Sequence, residues 1–156
     1  MNRSRWAEYS VTSSIIVVIV ALISGVSTIT TLILLCGMVV MANIAAYLAE
    51  TMKNERNRQR LLSVGIAAAA GLLPWIVIAI YLWHANLYGN GSLPAIIYVI
   101  YLVTLLLACS KIAVFYLSIK GNGKWQNNNR NEKIYSIINL VAVSALAWSV
   151  YAGLVR

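Results

Sequence analysis

Aspartate is absent from this chain of 156 residues, and its only acids are Glu8, Glu50, Glu55 and Glu132. Histidine occurs once, at position 84, so neither a His-based metal cluster nor a catalytic triad is available. Cysteine occurs twice, at positions 36 and 109, inside apolar runs and without CxxC or His partner spacing. These read as buried thiols rather than a disulfide or metal site. Charged residues make up 10% of the chain, against ~25% in soluble domains. A soluble globule cannot cover its surface with so few. The apolar share is 61%, against a usual ~45–50%, and the mean hydropathy is +0.79. The solvent this composition suits is lipid. Redox and hydrolytic enzyme readings have no residues to stand on.

A spanning helix needs ~20 mostly apolar residues. Five stretches qualify, roughly 6–25, 27–51, 61–84, 93–119 and 134–154, and they predict an all-α polytopic membrane bundle in one domain, residues 1–156. Gly25-Val26-Ser27-Thr28 reads as a tight turn, and Thr51 to Arg60 as a charged loop. Asn86 to Ser92 is a Gly- and Asn-rich loop, with Ser92 a candidate N-cap and Pro94 in the first turn that follows. Lys120 to Lys133 is a basic, Asn-rich loop. Arg3 and Arg5 before an apolar run resemble the start of a signal peptide. Glu8 in that region, and the lack of a small-residue cleavage site, favour a retained helix.

With five spans the termini lie on opposite faces. Arg3, Arg5, Lys53, Arg56, Arg58, Arg60, Lys120, Lys124, Arg130 and Lys133 share the N-terminal face, and Arg156 alone lies on the other. The positive-inside rule puts the N-terminus in the cytoplasm and the C-terminus outside, with the cell membrane as the location. Anionic headgroups suffice as partners for the net charge of +8, and no nucleic acid is needed. Asn90-Gly91-Ser92 matches a glycosylation acceptor in the outside loop.

Ionisable groups inside a membrane are costly and are functional candidates by default. Here they are Glu8 and Lys111. Glu8 reads equally as an interfacial acid near a helix end. Lys111 reads first as a long side chain snorkelling to the headgroups, in a polar stripe with Thr104 and Ser118. Both lie about two turns from the cytoplasmic face, ~10–12 Å deep, where they could pair. Thr12, Ser13 and Ser14 predict a polar face toward the bundle interior, and Asn43 and Asn139 predict interhelical hydrogen bonds. Pro74 frees the Ala70 carbonyl and favours a kink, and Trp75 and Trp148 are large enough to line a cavity.

Four motifs in order resemble the heliorhodopsins, the inverted-topology family of microbial-type retinal proteins. Arg5-Trp6-x-Glu8-Tyr9-Ser10 with Ser13-Ser14 is similar to that family's third helix, and Gly71-x-x-Pro74-Trp75 with Ile80-Tyr81 to its fifth. Lys120-Gly121-x-Gly123-Lys124-Trp125, then Arg130-x-Glu132, resembles the basic loop before its last helix. Leu140-Val141-Ala142-x-Ser144-Ala145-Leu146-Ala147-Trp148 resembles that last helix. Together they cover roughly residues 5–153. The resemblance implies helices 3–7 of a seven-helix rhodopsin-like fold, with the first two absent, and a photosensory or signalling role without enzymatic activity. It implies retinal in mid-bundle, Glu8 as counterion, Thr12 and Ser13 shaping the counterion network, and Trp75, Ser144 and Trp148 beside the chromophore. The family's Schiff-base lysine falls at Val143, which has no amine, and the polar residue one turn earlier is Asn139. Covalent retinal attachment is therefore expected to be impaired, with Lys111 as the speculative alternative amine. The rival readings are a retinal-free membrane scaffold, alone or as a homo-oligomer, and a fragment of a longer photoreceptor. Transport ranks behind these, since no inverted repeat appears.

Overall fold

The computed structural model describes residues 3–51, 57–88, 94–120 and 128–154, and they form five α-helices: α1 Arg3–Ile23, α2 Ile29–Thr51, α3 Asn57–Tyr88, α4 Ala95–Lys120 and α5 Asn128–Leu154. The all-helical class expected from composition is what these residues adopt. Leu, Ile, Ala and Val dominate the helices, and a membrane leaves a backbone little choice but to satisfy its hydrogen bonds internally. Trp6–Ile23, Ile29–Thr51, Leu61–Tyr88 and Ala95–Ser118 are long and apolar enough to cross a bilayer. The apolar part of α5, Ser136–Ala152, is shorter and sits at the short end of the ~17–25 residues that spanning helices use.

Three helix ends lie beyond the apolar stretches that composition marks. α3 takes in Asn57–Arg60 and runs on to Tyr88, and α5 begins at Asn128, inside what composition marks as loop. Arg, Gln, Glu and Lys are good helix formers, so the ladder of hydrogen bonds continues past the last apolar residue. Ser92 and Asn90 lie outside the described residues. Pro94 directly precedes α4, where its carbonyl accepts from Ile97 N at 3.0 Å. α3 passes through Pro74 as one helix, and Pro74 is among the most deeply buried side chains.

The chain divides into two compact units, Met1–Leu93 and Pro94–Arg156. In the first, α2 packs along both α1 and α3, while α1 and α3 meet only lightly. Val20, Ala21, Leu35, Ala49 and Ile78 are essentially sealed between them. The α1–α2 connection is a glycine-dependent helix stop, as its sequence suggests. Val26 N donates to Ala21 O at 3.0 Å and Gly25 N to Leu22 O at 3.1 Å, with Gly25 at φ +91°. This is the paired-bond ending in which a left-handed residue reverses the chain and caps the last carbonyls. Gly25→Ala is expected to destabilise the protein by about 1–2 kcal/mol, because a Cβ is strained at that φ. A thermal melt in detergent will check it, and an unchanged midpoint would refute it.

In the second unit α4 and α5 pack against each other. Ile100 and Thr104 on α4, and Ala142 and Leu146 on α5, form the buried strip. Each pair is spaced by four residues, the interval that keeps side chains on one helix face.

Candidate functional site

The sequence-derived candidates fall into both units, and each unit has its own geometry. On α1 and the turn that ends it, the sealed face is built by Ser14, Val17, Val20, Ala21 and Ser24. Glu8 lies on the other side with Val11, Ile15 and Leu22, all exposed, so neither α2 nor α3 covers its carboxylate. One turn on, the Thr12 hydroxyl donates to the backbone carbonyl of Glu8 at 2.9 Å. That bond turns Thr12 back onto its own helix. Ser13 is half-buried, and the Ser14 hydroxyl is buried without a hydrogen-bond partner among the described residues. Trp75 on α3 is 4% exposed and belongs to the core of this unit.

Asn43 was expected to bond across helices, and it does not do so through its amide nitrogen. Nδ2 donates to Val39 O at 2.9 Å, one turn back on α2. An amide in a helix interior finds the i−4 carbonyl closest to hand when the facing surface is apolar.

Glu50 belongs to a contact that the motifs do not announce. Trp6 Nε1 donates to Glu50 Oε2 at 2.7 Å, from α1 to α2. The indole also meets Tyr9 and Tyr47 edge-on, at centroid separations of 6.2 and 6.3 Å. The sequence signal was present, an aromatic and an acid near the ends of consecutive helices, but Glu50 at the end of the second span gives no sign of its partner. Trp6→Phe keeps the ring and removes the donor. It is expected to cost about 1 kcal/mol, the scale of an interhelical hydrogen bond in a membrane protein. A Tm equal to that of the unsubstituted chain would show the bond to be idle.

In the second unit, Lys111 does not behave as a snorkelling side chain. Its Nζ donates to Asn139 Oδ1 at 2.9 Å, joining α4 to α5. Asn139 thus makes the interhelical bond expected of it. Thr104, two turns before Lys111, is buried, and its hydroxyl is shared between Ile100 O at 2.6 Å and Tyr101 O at 3.1 Å. Asn139, Ala142 and Leu146 mark the side of α5 that faces α4. Val143 lies at the margin of that side and is 43% exposed. Ser144 is exposed, and Trp148 is 73% exposed with an edge-on contact to Tyr151 at 6.2 Å. Of the candidates, the structure joins Lys111 to Asn139, and Thr12 to the backbone of Glu8.

Chemically, this arrangement supplies one exposed carboxylate on an apolar helix face and one primary amine held against a neutral amide. Position 143 supplies only a hydrocarbon side chain, so it does not fit a group attached through nitrogen. Among curated proteins no relative matches the chain. The sequence matches the heliorhodopsin family over residues 1–155, and the chain belongs to that family.

Proposed function

We propose that this heliorhodopsin is of the photosensory and signalling type, takes a retinoid as its ligand, and does not bond it at position 143. The observation that carries this reading is Glu8. A carboxylate amid Val11, Ile15 and Leu22, on a face its own helical unit leaves uncovered, is too costly in a bilayer to be idle. The resemblance of Arg5-Trp6-x-Glu8-Tyr9-Ser10 to the family's third helix gives Glu8 the counterion's role, with Thr12 and Ser13 beside it. Trp75, Asn139, Ser144 and Trp148 come in by the same correspondence as chromophore neighbours, and Val143 as the place of the family lysine. The reading includes no catalytic role, and it does not depend on what precedes Met1. When bound through an amine, retinal supplies light absorption and a light-driven change of shape.

The uneven distribution of Lys and Arg supports a cytoplasmic N-terminus and an external C-terminus. Membranes carrying the full chain, titrated with all-trans retinal, test the ligand. Saturable quenching of tryptophan emission and a shifted retinal absorption are expected, and the shift changes in Glu8→Gln. Retinal that partitions as it does into protein-free lipid would overturn the reading.

The second reading, a retinal-free scaffold, is favoured by the apolar faces left open on both units, Val11, Ile15 and Leu22 on α1 and Leu140, Trp148 and Tyr151 on α5. Copies of the chain would cover them. Light scattering of the solubilised protein separates the cases, since a clean monomer counts against a self-assembling scaffold.

A further inference from the structure

Among the described residues, Lys111 is the lysine inside an apolar helix core; Lys120 and Lys133 lie at the polar ends of α4 and α5. We propose that Lys111 is the covalent attachment site of this protein for an apolar aldehyde, taking over from α4 the bond that position 143 on α5 cannot make. This rests on the retinoid reading above and names the residue that would react.

The geometry is local to the α4–α5 pair. Lys111 Nζ lies 2.9 Å from Asn139 Oδ1, so the amine reaches across to α5 rather than along its own helix. Asn139 and Val143 are four residues apart, and a helix rises ~6 Å over that interval with both side chains on nearly the same face. The amine therefore arrives about one turn from the position where the family lysine would emerge. Lys111 is half-buried, with its nitrogen held at the α4–α5 seam by Asn139. Val143, 43% exposed at the margin of the interface, leaves a smooth apolar surface there.

The chemistry suits the setting. A lysine amine is the side chain that forms Schiff bases with carbonyl compounds. In the net reaction a C=N bond forms between Nζ and the aldehyde carbon. The carbonyl oxygen leaves as water with two hydrogens of the ammonium, and the nitrogen keeps the third hydrogen and the positive charge. No oxidant or reductant is required. Asn139 is the positioning residue, because its Oδ1 already holds the amine and can accept from the remaining N–H. Among the described residues, the partner in place for the cation is the neutral amide oxygen of Asn139.

The test uses the full chain in membranes, incubated with all-trans retinal, reduced with borohydride, digested and mapped by mass spectrometry. Three proteins are compared: the unsubstituted chain, Lys111→Arg and Val143→Lys. Arginine keeps the cation and a donor toward Asn139, so folding is preserved while the reactive amine is lost. The expected result is a retinyl adduct on Lys111, reduced at least tenfold in Lys111→Arg. No adduct on the unsubstituted chain, while Val143→Lys is labelled at position 143, overturns the proposal and leaves the retinoid reading standing. An adduct of equal yield in Lys111→Arg also overturns it. No saturable retinal binding in any of the three overturns the retinoid reading, and this proposal with it.

Discussion

Val143→Lys is expected to convert a chain with little or no visible absorption of its own attachment type at α5 into one that binds retinal covalently at position 143. The side chain at this position is 43% exposed at the edge of the α4–α5 strip, so a longer group has room to extend without displacing Ala142 or Leu146 from the buried face. The new amine would emerge one turn from Asn139, whose Oδ1 is a ready acceptor. The cost is a second cation near Lys111. Two like charges in a medium of low dielectric repel, and that repulsion opposes the folded state of the variant. The expected result is a borohydride-trapped retinyl adduct mapped to position 143, a site that valine leaves unlabelled in the unsubstituted chain. Combining Val143→Lys with Lys111→Arg separates the two amines: the adduct then maps to position 143 alone. Failure of Val143→Lys to trap retinal, in a protein that still binds it reversibly, would mean that α5 does not present this position to the ligand.

Much of this architecture is legible in the residues. The apolar runs mark the helices because lipid demands them, and Gly25 marks its turn because a left-handed stop suits glycine above other residues. The family likewise follows from ordered motifs. Helix ends are less visible, since Asn57–Arg60 and Asn128–Lys133 are polar yet helical, and polarity reports the membrane boundary rather than the end of hydrogen bonding. Pairings across helices are the least visible. Lys111 and Asn139 stand out individually as polar residues in apolar spans, but only the register of α4 against α5 makes them partners. Glu50 was hidden for a related reason. It sits near the end of α2, whereas its partner Trp6 lies on another helix.

The Lys111–Asn139 bond also makes an expectation about stability that distinguishes the two partners. Asn139→Leu removes the acceptor and leaves an ammonium facing hydrocarbon, and a charged group stripped of its partner carries a desolvation cost larger than that of a neutral one. About 2–3 kcal/mol of destabilisation is expected for the ligand-free protein. Lys111→Met leaves only a neutral amide oxygen unpaired, with methionine filling much of the lysine stem's volume, and about 1 kcal/mol is expected. Replacing both together removes the mismatch, and apolar pairs in place of buried polar ones are often neutral or better. The double variant is therefore expected to be more stable than Asn139→Leu alone, so that the two substitutions are strongly non-additive. Thermal melts of the four proteins in one detergent supply the cycle. Additive shifts would mean that the two side chains do not share an energy, and that α4 and α5 are held by the strip of Ile100, Thr104, Ala142 and Leu146. A strong coupling, together with the loss of retinyl labelling in Lys111→Arg, would show one bond serving two ends: it holds a charge in the membrane, and it keeps an amine beside the ligand.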